Sequence, residues 1–466
     1  MEPETSERSA ARSPDSAKGI DWAAEGDTCV ALLRDLLRIP TVNPPGNERP
    51  AAELVAEYLR ARRIEPRLLE SDPTRASVIA RYAGNGGLPP LLLTGHLDVV
   101  EADATTWKHP PFSGEIAEGC IWGRGAVDMK NMVSMSACVM GLLARTQPKL
   151  ERDVIFAAVA DEETGSSKGA HFLVDEHPDL VRAEYALGEI GGFSLHIMGR
   201  TFYPIQVAEK GQVWLTATFS GEAGHGSMPR ADSAVIKAAE AIVRLGRNRL
   251  PFHPTDVVRR FLHELARGLP HPARFIIPRL GTPALAGLVL DRVLPDPAMR
   301  RTFASYLSNT ASPTVVRAGS KTNVIPASAS VEIDGRTLPG QTEQDFLREI
   351  RRHLGEEAIV RVMASQPPVV TPVDTPMFRC LADAIRAHDP DGIPIPAMIP
   401  GFTDAKAYSK LGTKYYGFSP VRFEPNDGIS FAALYHGKDE RIPEAGLRWG
   451  LRTLYDAVIR FAGAGP

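Results

Sequence analysis

The chain has 466 residues, 43% of them hydrophobic and 23% charged, with a formal net charge of −3. These are the proportions of a soluble globular protein too long for one ordinary core, so two or three domains are expected. Nothing in the bulk charge attracts nucleic acid or an anionic membrane, and no apolar run reaches the roughly 18 residues of a membrane helix.

Residues 1–19 are rich in Ser, Glu, Ala and Pro and lack the apolar stretch of a signal peptide, so residues 1–20 read as a disordered tail. Four scattered cysteines (Cys29, Cys120, Cys138, Cys380) contain no CxxC pair, which excludes a sequence-local zinc ribbon and argues against a disulfide framework. Cysteines read as reduced, and an N-terminus not read as a signal peptide, make the cytoplasm the expected location. Residues 27–38 keep helical spacing, with Val30, Leu33, Leu36 and Leu37 on one face. The run Ile39-Pro40-Thr41-Val42-Asn43-Pro44-Pro45-Gly46 breaks that helix, and residues 51–60 form a second. Strands are expected at 77–82 and 91–94, the latter nearly all apolar and so central and buried. Residues 131–145 form a helix, 154–160 a buried strand, 169–175 a helix and 185–187 a short strand. Strands alternating with helices imply a mostly parallel sheet covered on both faces, spanning 21–205.

Near residue 206 the texture changes. Residues 213–219 alternate, with Val213, Leu215, Ala217 and Phe219 on one side, the pattern of a half-exposed antiparallel strand. A helix at 233–245, a strand at 330–334, a helix at 342–354 opened by a Thr342-x-x-Asp345 cap, and a strand at 359–363 complete a split-βαβ, ferredoxin-like layer over 206–368. Residues 251–301 interrupt this layer. Val257, Phe261, Leu262 and Leu265 hold helical spacing there, so the segment reads as a helical insertion. Its arginines are dispersed among prolines and apolar residues without an aromatic series, which argues against nucleic-acid binding. From 369 to 466 the α/β texture returns, ending in a helix at 444–462. The fold class is therefore α/β, a mostly parallel mixed sheet covered by helices and interrupted by a smaller α+β domain.

The chemistry-bearing residues fall where such strands end. His96 and Asp98 follow the 91–94 strand and point the same way, as a metal ligand and its orienting acid would; a hydrogen-bonded turn is the alternative. Asp128 sits near the start of the 131–145 helix, where simple capping competes with metal binding. Asp161-Glu162-Glu163 closes a buried strand, and three successive acids gain nothing in an apolar core. An open α/β sheet gathers ligands outside the carboxyl ends of its strands. A histidine and several carboxylates converging there hold a zinc-like ion and leave one carboxylate as a base. Glu189 and His436 are available to complete the set. Gly221-Glu222-Ala223-Gly224-His225-Gly226 projects His225 outward, where an imidazole can donate to a developing oxyanion.

Taken in order, Gly95-His96-Leu97-Asp98, Gly123-Arg124-Gly125…Asp128-Met129-Lys130, Asp161-Glu162-Glu163-Thr164-Gly165, Gly224-His225-Gly226-Ser227-x-Pro229 and His436-Gly437-x-Asp439-Glu440-Arg441 resemble the M20 family of metallopeptidases and deacylases. The resemblance implies a zinc-peptidase-like catalytic domain with a lid domain. It also implies two divalent ions, Zn2+ first with Co2+ or Mn2+ as alternatives. His96 and Glu189 would hold one ion, Glu163 and His436 the other, with Asp128 bridging. Glu162 would be the general base, Asp98 the support of His96, and His225 a contributor from the lid. Asn323, Arg336, Thr403 and Lys406 match positions near the substrate; Lys406 stands where the family has Arg, and Lys lacks the planar fork for a carboxylate. The implied reaction is hydrolysis of an amide in a small N-acyl amino acid or short peptide, with a dipeptidase or carboxypeptidase as the alternative. A catalytically silent binding module on the same scaffold is the third. A homodimer through the lid is the expected assembly, with no nucleic-acid or membrane partner.

Overall fold

The structure is a computed structural model that describes residues 19–294, 297–425, 429 and 431–463. The expected tail lies outside the described residues except for Gly19 and Ile20. The chain divides into two compact units. Among described residues the first comprises the chain up to Ile205, Pro372–Pro394 and everything from Ala407 onward; the second comprises Gln206–Thr371 and Ile395–Lys406.

The centre of the first unit is a parallel group of strands. Leu88–His96 lies between Arg152–Val159 and Tyr185–Gly188, and Lys414–Gly417 adds in parallel beside Tyr185–Gly188. Arg75–Tyr82 and Arg67–Asp72 extend the sheet antiparallel beyond Arg152–Val159. Leu91, Leu92 and Leu93 are all fully inaccessible. Successive strand residues face opposite sides, so both faces of the sheet are covered, which is why this segment reads as a continuous apolar run instead of an alternating one. Helices Trp22–Leu37, Lys130–Thr146 and Glu444–Ala462 pack on one another. Fourteen consecutive residues of the middle helix, Lys130 to Leu143, are buried, so it runs through the core and not along its surface.

The second unit holds a four-stranded antiparallel sheet ordered Thr310–Ala318, Ser328–Thr337, Gly211–Ser220, Ile359–Gln366. With helices Ala234–Arg247 and Glu343–Leu354 the chain order is βαββαβ. Val213, Leu215, Ala217 and Phe219 enter one apolar cluster with Phe346 and Ile350. The Thr342–Asp345 capping box is present on both sides. Strand Thr310–Ala318 was absent from the expected order: it lies at the sheet edge, carries Pro313 and is mostly exposed, so it lacks the buried alternation by which a strand is recognised. The insertion is helical, with Asp256–Gly268, Ala273–Ile276, Pro283–Leu288 and Pro297–Leu307, and so runs beyond residue 301.

Candidate metal centre

Three neighbouring parallel strands end at one edge of the first unit's sheet. Leu88–His96 delivers His96, Arg152–Val159 leads into the turn Glu162–Thr164, and Tyr185–Gly188 leads into Glu189. Gly188 is required for this approach, because a Cβ there would fall 2.0 Å from the Tyr415 hydroxyl. That hydroxyl accepts from the Glu189 backbone N–H at 2.9 Å and fixes where the glutamate starts.

Asp128 is the hub. Its Oδ1 lies 3.1 Å from His96 Nε2 and its Oδ2 lies 3.0 Å from His436 Nε2. Glu189 Oε2 is 3.5 Å from the same His96 nitrogen, and Glu163 Oε2 is 3.2 Å from the same His436 nitrogen. Capping does not explain Asp128: the helix that follows has Met129 at its N-cap and no side-chain cap. His96, Asp128 and Glu163 offer ligand atoms mutually within 4.8 Å, as do His96, Glu162 and Glu189. The structure thus brings together all six of the residues expected to act at the ions. Asp98 lies beside His96 and also holds the neighbouring turn. His96 Nδ1 sits 2.9 Å from the Asp98 backbone carbonyl and 3.5 Å from its carboxylate. The carboxylate itself accepts from the backbone N–H groups of Glu162 and Glu163, at 3.1 and 3.0 Å.

The electrostatics follow from four carboxylates around two imidazoles. Burial opposes a charge on His96, yet hydrogen bonds to Asp128, Asp98 and Glu189 hold its pKa well above the ordinary value. Burial likewise opposes protonation of His436, and Asp128 and Glu163 push it up to about 10. Asp128 is held below the ordinary carboxylate range against burial by the two imidazoles. Burial raises Glu163, and the Asp128 charge adds to that. Glu163 Oε1 is buried with no hydrogen-bond partner among the described residues. Hard oxygen donors, imidazole nitrogens and surplus negative charge all suit divalent cations, so the donor set fits the implied metal.

Two residues quoted in the sequence motifs without a role hold this geometry. Glu440 accepts from the backbone N–H groups of Gly125, Val127 and Asp128 at 2.8–3.2 Å. Arg124 donates to Glu440 at 2.8 Å and to the Gly437 carbonyl at 2.8 Å, tying the Asp128 loop to the His436 loop. Their spacing in the sequence shows a charge pair only once the two loops are known to meet. Tyr435 stacks on the His436 ring at 4.5 Å.

The remaining predicted residues lie in the second unit. His225 is exposed, in a two-stranded ladder with Val324–Ile325, and its Nδ1 contacts the Ser227 hydroxyl at 2.8 Å. Asn323 is exposed beside it, its carbonyl accepting from Gly226 N–H at 2.8 Å. Arg336 donates through Nε and one terminal nitrogen to Asp334, stacks over Phe402 at 5.2 Å, and keeps its other terminal nitrogen without a hydrogen-bond partner among described residues. Thr403 and Lys406 were expected at the substrate. Both are buried: Thr403 donates to Glu209 at 2.6 Å, while Lys406 Nζ donates to the carbonyls of Lys210 and Pro367 at 2.9 and 3.0 Å and pairs with Glu209 at 3.1 Å. An ammonium has three donors, and these contacts engage all three.

A histidine–carboxylate cluster at the carboxyl edge of a parallel sheet is the arrangement of a metal-dependent hydrolase. The chain belongs to peptidase family M20/M25/M40, which it matches over residues 92–460. It is 30% identical over 387 residues to Probable carboxypeptidase S-like 2 of Dictyostelium discoideum, across 78% of this chain and 70% of that protein. It is 28% identical over 432 residues to N-fatty-acyl-amino acid synthase/hydrolase PM20D1 of Xenopus tropicalis, across 89% and 82% of the two. Its fold is similar to that of the M20 family metallo-carboxypeptidase Sso-CP2 from Sulfolobus solfataricus, with a TM-score of 0.68, 18% identity and coverage of 92% and 98%. Among the described residues no helix is long and apolar enough to cross a membrane.

Proposed function

We propose that the protein hydrolyses the amide bond of an N-acyl amino acid or short peptide with two divalent ions, zinc by preference, held by His96 and Glu189, by His436 and Glu163, and shared by Asp128. The observation that carries this is the two-sided Asp128 carboxylate, one oxygen turned to each imidazole at 3.1 and 3.0 Å. When bound, such ions acidify a water and polarise the scissile carbonyl. Glu162 lies beside His96 and Glu189 but is left out of both proposed ligand sets, to take the proton from the attacking water and return it to the leaving amine. His225 donates to the developing oxyanion. Arg336, with a donor nitrogen left over, and Asn323 meet the substrate's polar end, whereas Thr403 and Lys406 support Glu209.

The names of the relatives favour acyl-amino acids over other amides, and a carboxypeptidase or dipeptidase is the second reading on the same ground. In this proposal the second unit is a lid and the assembly a homodimer. The edge strand Ile359–Gln366 leaves Ile359 and Met363 exposed, as a pairing surface would. Four free thiols agree with the cytoplasm. The test is to strip the protein with chelator, restore Zn2+, Mn2+ or Co2+ separately, and assay N-acetyl, N-succinyl, N-fatty-acyl and dipeptide substrates by released amine. Hydrolysis that returns with metal and favours one acyl class is the expected result. Full activity in the stripped protein would overturn it.

A further inference from the structure

Behind the metal centre lies a buried chain of charged and polar side chains belonging entirely to the first unit. It begins at Glu48, which is fully inaccessible at the start of helix Arg49–Arg60. Glu48 takes both forks of the Arg75 guanidinium, at 3.0 Å from Nε and 2.8 Å from a terminal nitrogen. The other terminal nitrogen of Arg75 pairs with Asp161 Oδ1 at 2.9 Å. Gly46, at φ +85°, lets the guanidinium lie flat against the backbone, since a Cβ there would sit 2.1 Å from it. Asp161 Oδ1 also accepts from Asn43 Nδ2 at 3.1 Å, and the same Asn43 nitrogen donates to Asp98 Oδ2 at 2.8 Å. Asp98 then caps the N–H groups of Glu162 and Glu163. Asp161 is itself in the left-handed region, at φ +69°, which Asp tolerates better than most non-glycine residues because its short side chain bonds locally.

Two buried carboxylates, Glu48 and Asp161, therefore share one guanidinium, a third, Asp98, is joined to them through Asn43, and the arrangement ends on the two backbone amides that aim Glu162 and Glu163. Among the described residues Arg75 pairs with Glu48 and Asp161 and with none of the proposed ligands. A buried planar fork with both sides engaged has one geometry, unlike an ammonium, and it fixes the carboxylates on either side. We propose that Arg75, with Glu48, Asp161 and Asn43, is a positioning relay that sets the turn carrying Glu162 and Glu163, and through it the affinity of the centre for divalent cations. This inference rests on the hydrolase reading above but concerns residues which that reading leaves without a role.

The test uses the full chain, stripped of metal and titrated calorimetrically with zinc chloride, beside melting temperature and kinetics on the best substrate of the panel. Arg75→Met should bind zinc at least tenfold more weakly and lose at least tenfold in kcat with KM within twofold. Arg75→Lys, which keeps the charge but not the fork, should recover part of both losses. Asn43→Ala removes the side-chain hydrogen bonds to Asp98, Asp161 and Thr164, leaves the ion pairs in place, and should move zinc affinity in the same direction if Arg75→Met fails to fold. Wild-type zinc affinity and kcat in Asn43→Ala and in folded Arg75→Met, with only the melting temperature lowered, would overturn the relay while leaving the hydrolase reading intact. A wild-type chain that takes up no zinc, manganese or cobalt would overturn both.

Discussion

In the first unit Asp128, Glu162, Glu163 and Glu189 gather around two imidazoles; in the second, Glu209 meets Lys406 and Thr403. Both groups are buried and charged, and only their balance differs. The second is closed: Glu209 has a full cation and a hydroxyl, and the ammonium has its three acceptors. In the first, several carboxylates face two imidazoles and no lysine or arginine stands among the proposed ligands, so both histidines are drawn toward protonation. Burying a charge is costly unless it is paired, so a surplus of one sign marks a place built for something the chain does not itself supply.

The sharpest way to break this contrast is at Glu162. Glu162→Ala should lower turnover by about 10²- to 10⁴-fold while the metal content by elemental analysis stays at the wild-type level; near-native turnover sinks the assignment of the base. In the closed cluster the effect should be on stability. Lys406→Met leaves Glu209 buried without its cation and should cost about 3–5 kcal/mol in denaturant unfolding of the second unit's signal, with metal uptake unchanged. A loss below about 1 kcal/mol would mean that the pair behaves as a surface contact. His225→Ala tests whether an exposed loop residue belongs with the first group: turnover should fall about 10²-fold, and, since its side-chain contact is with neighbouring Ser227, the melting temperature should not move.

The smallest effect is a pH slope. Burial lowers Lys210 to about 7, with Arg336 nearby adding to the shift, while its Nζ donates to the Ser308 carbonyl. The unfolded chain keeps this lysine protonated up to its ordinary value of 10.5, so between about 7 and 10.5 the unfolded state binds more protons and stability rises with pH. The penalty is fully present below about 7 and is relieved toward 10.5. Lys210→Met should flatten that rise in unfolding free energy measured across the window; an unchanged slope would show that Lys210 is not its source.

Much of the first unit was legible because its signals are local. The apolar runs at 91–94 and 154–160 exist because those strands are covered on both faces, and the acids follow them directly. Val213 to Phe219 alternates because one face meets Phe346 and Ile350. Thr310–Ala318 was illegible because an edge strand is free of the burial that imposes alternation. The partners of Lys406 were illegible for a related reason: the acceptors that bind its ammonium come from residues 209, 210 and 367.

By itself the sequence determined which groups are present and where the strands that carry them end, since periodicity and strand-end chemistry depend only on neighbours along the chain. The tertiary structure alone decided which carboxylates share a nitrogen, that Asp98 caps a turn as well as facing a histidine, and that Arg75, Asn43 and Glu440 stand behind the ligands. Those relations join residues 43 and 98, 75 and 161, 127 and 440, and hydrogen bonds and ion pairs act over a few ångströms of space whatever the separation along the chain.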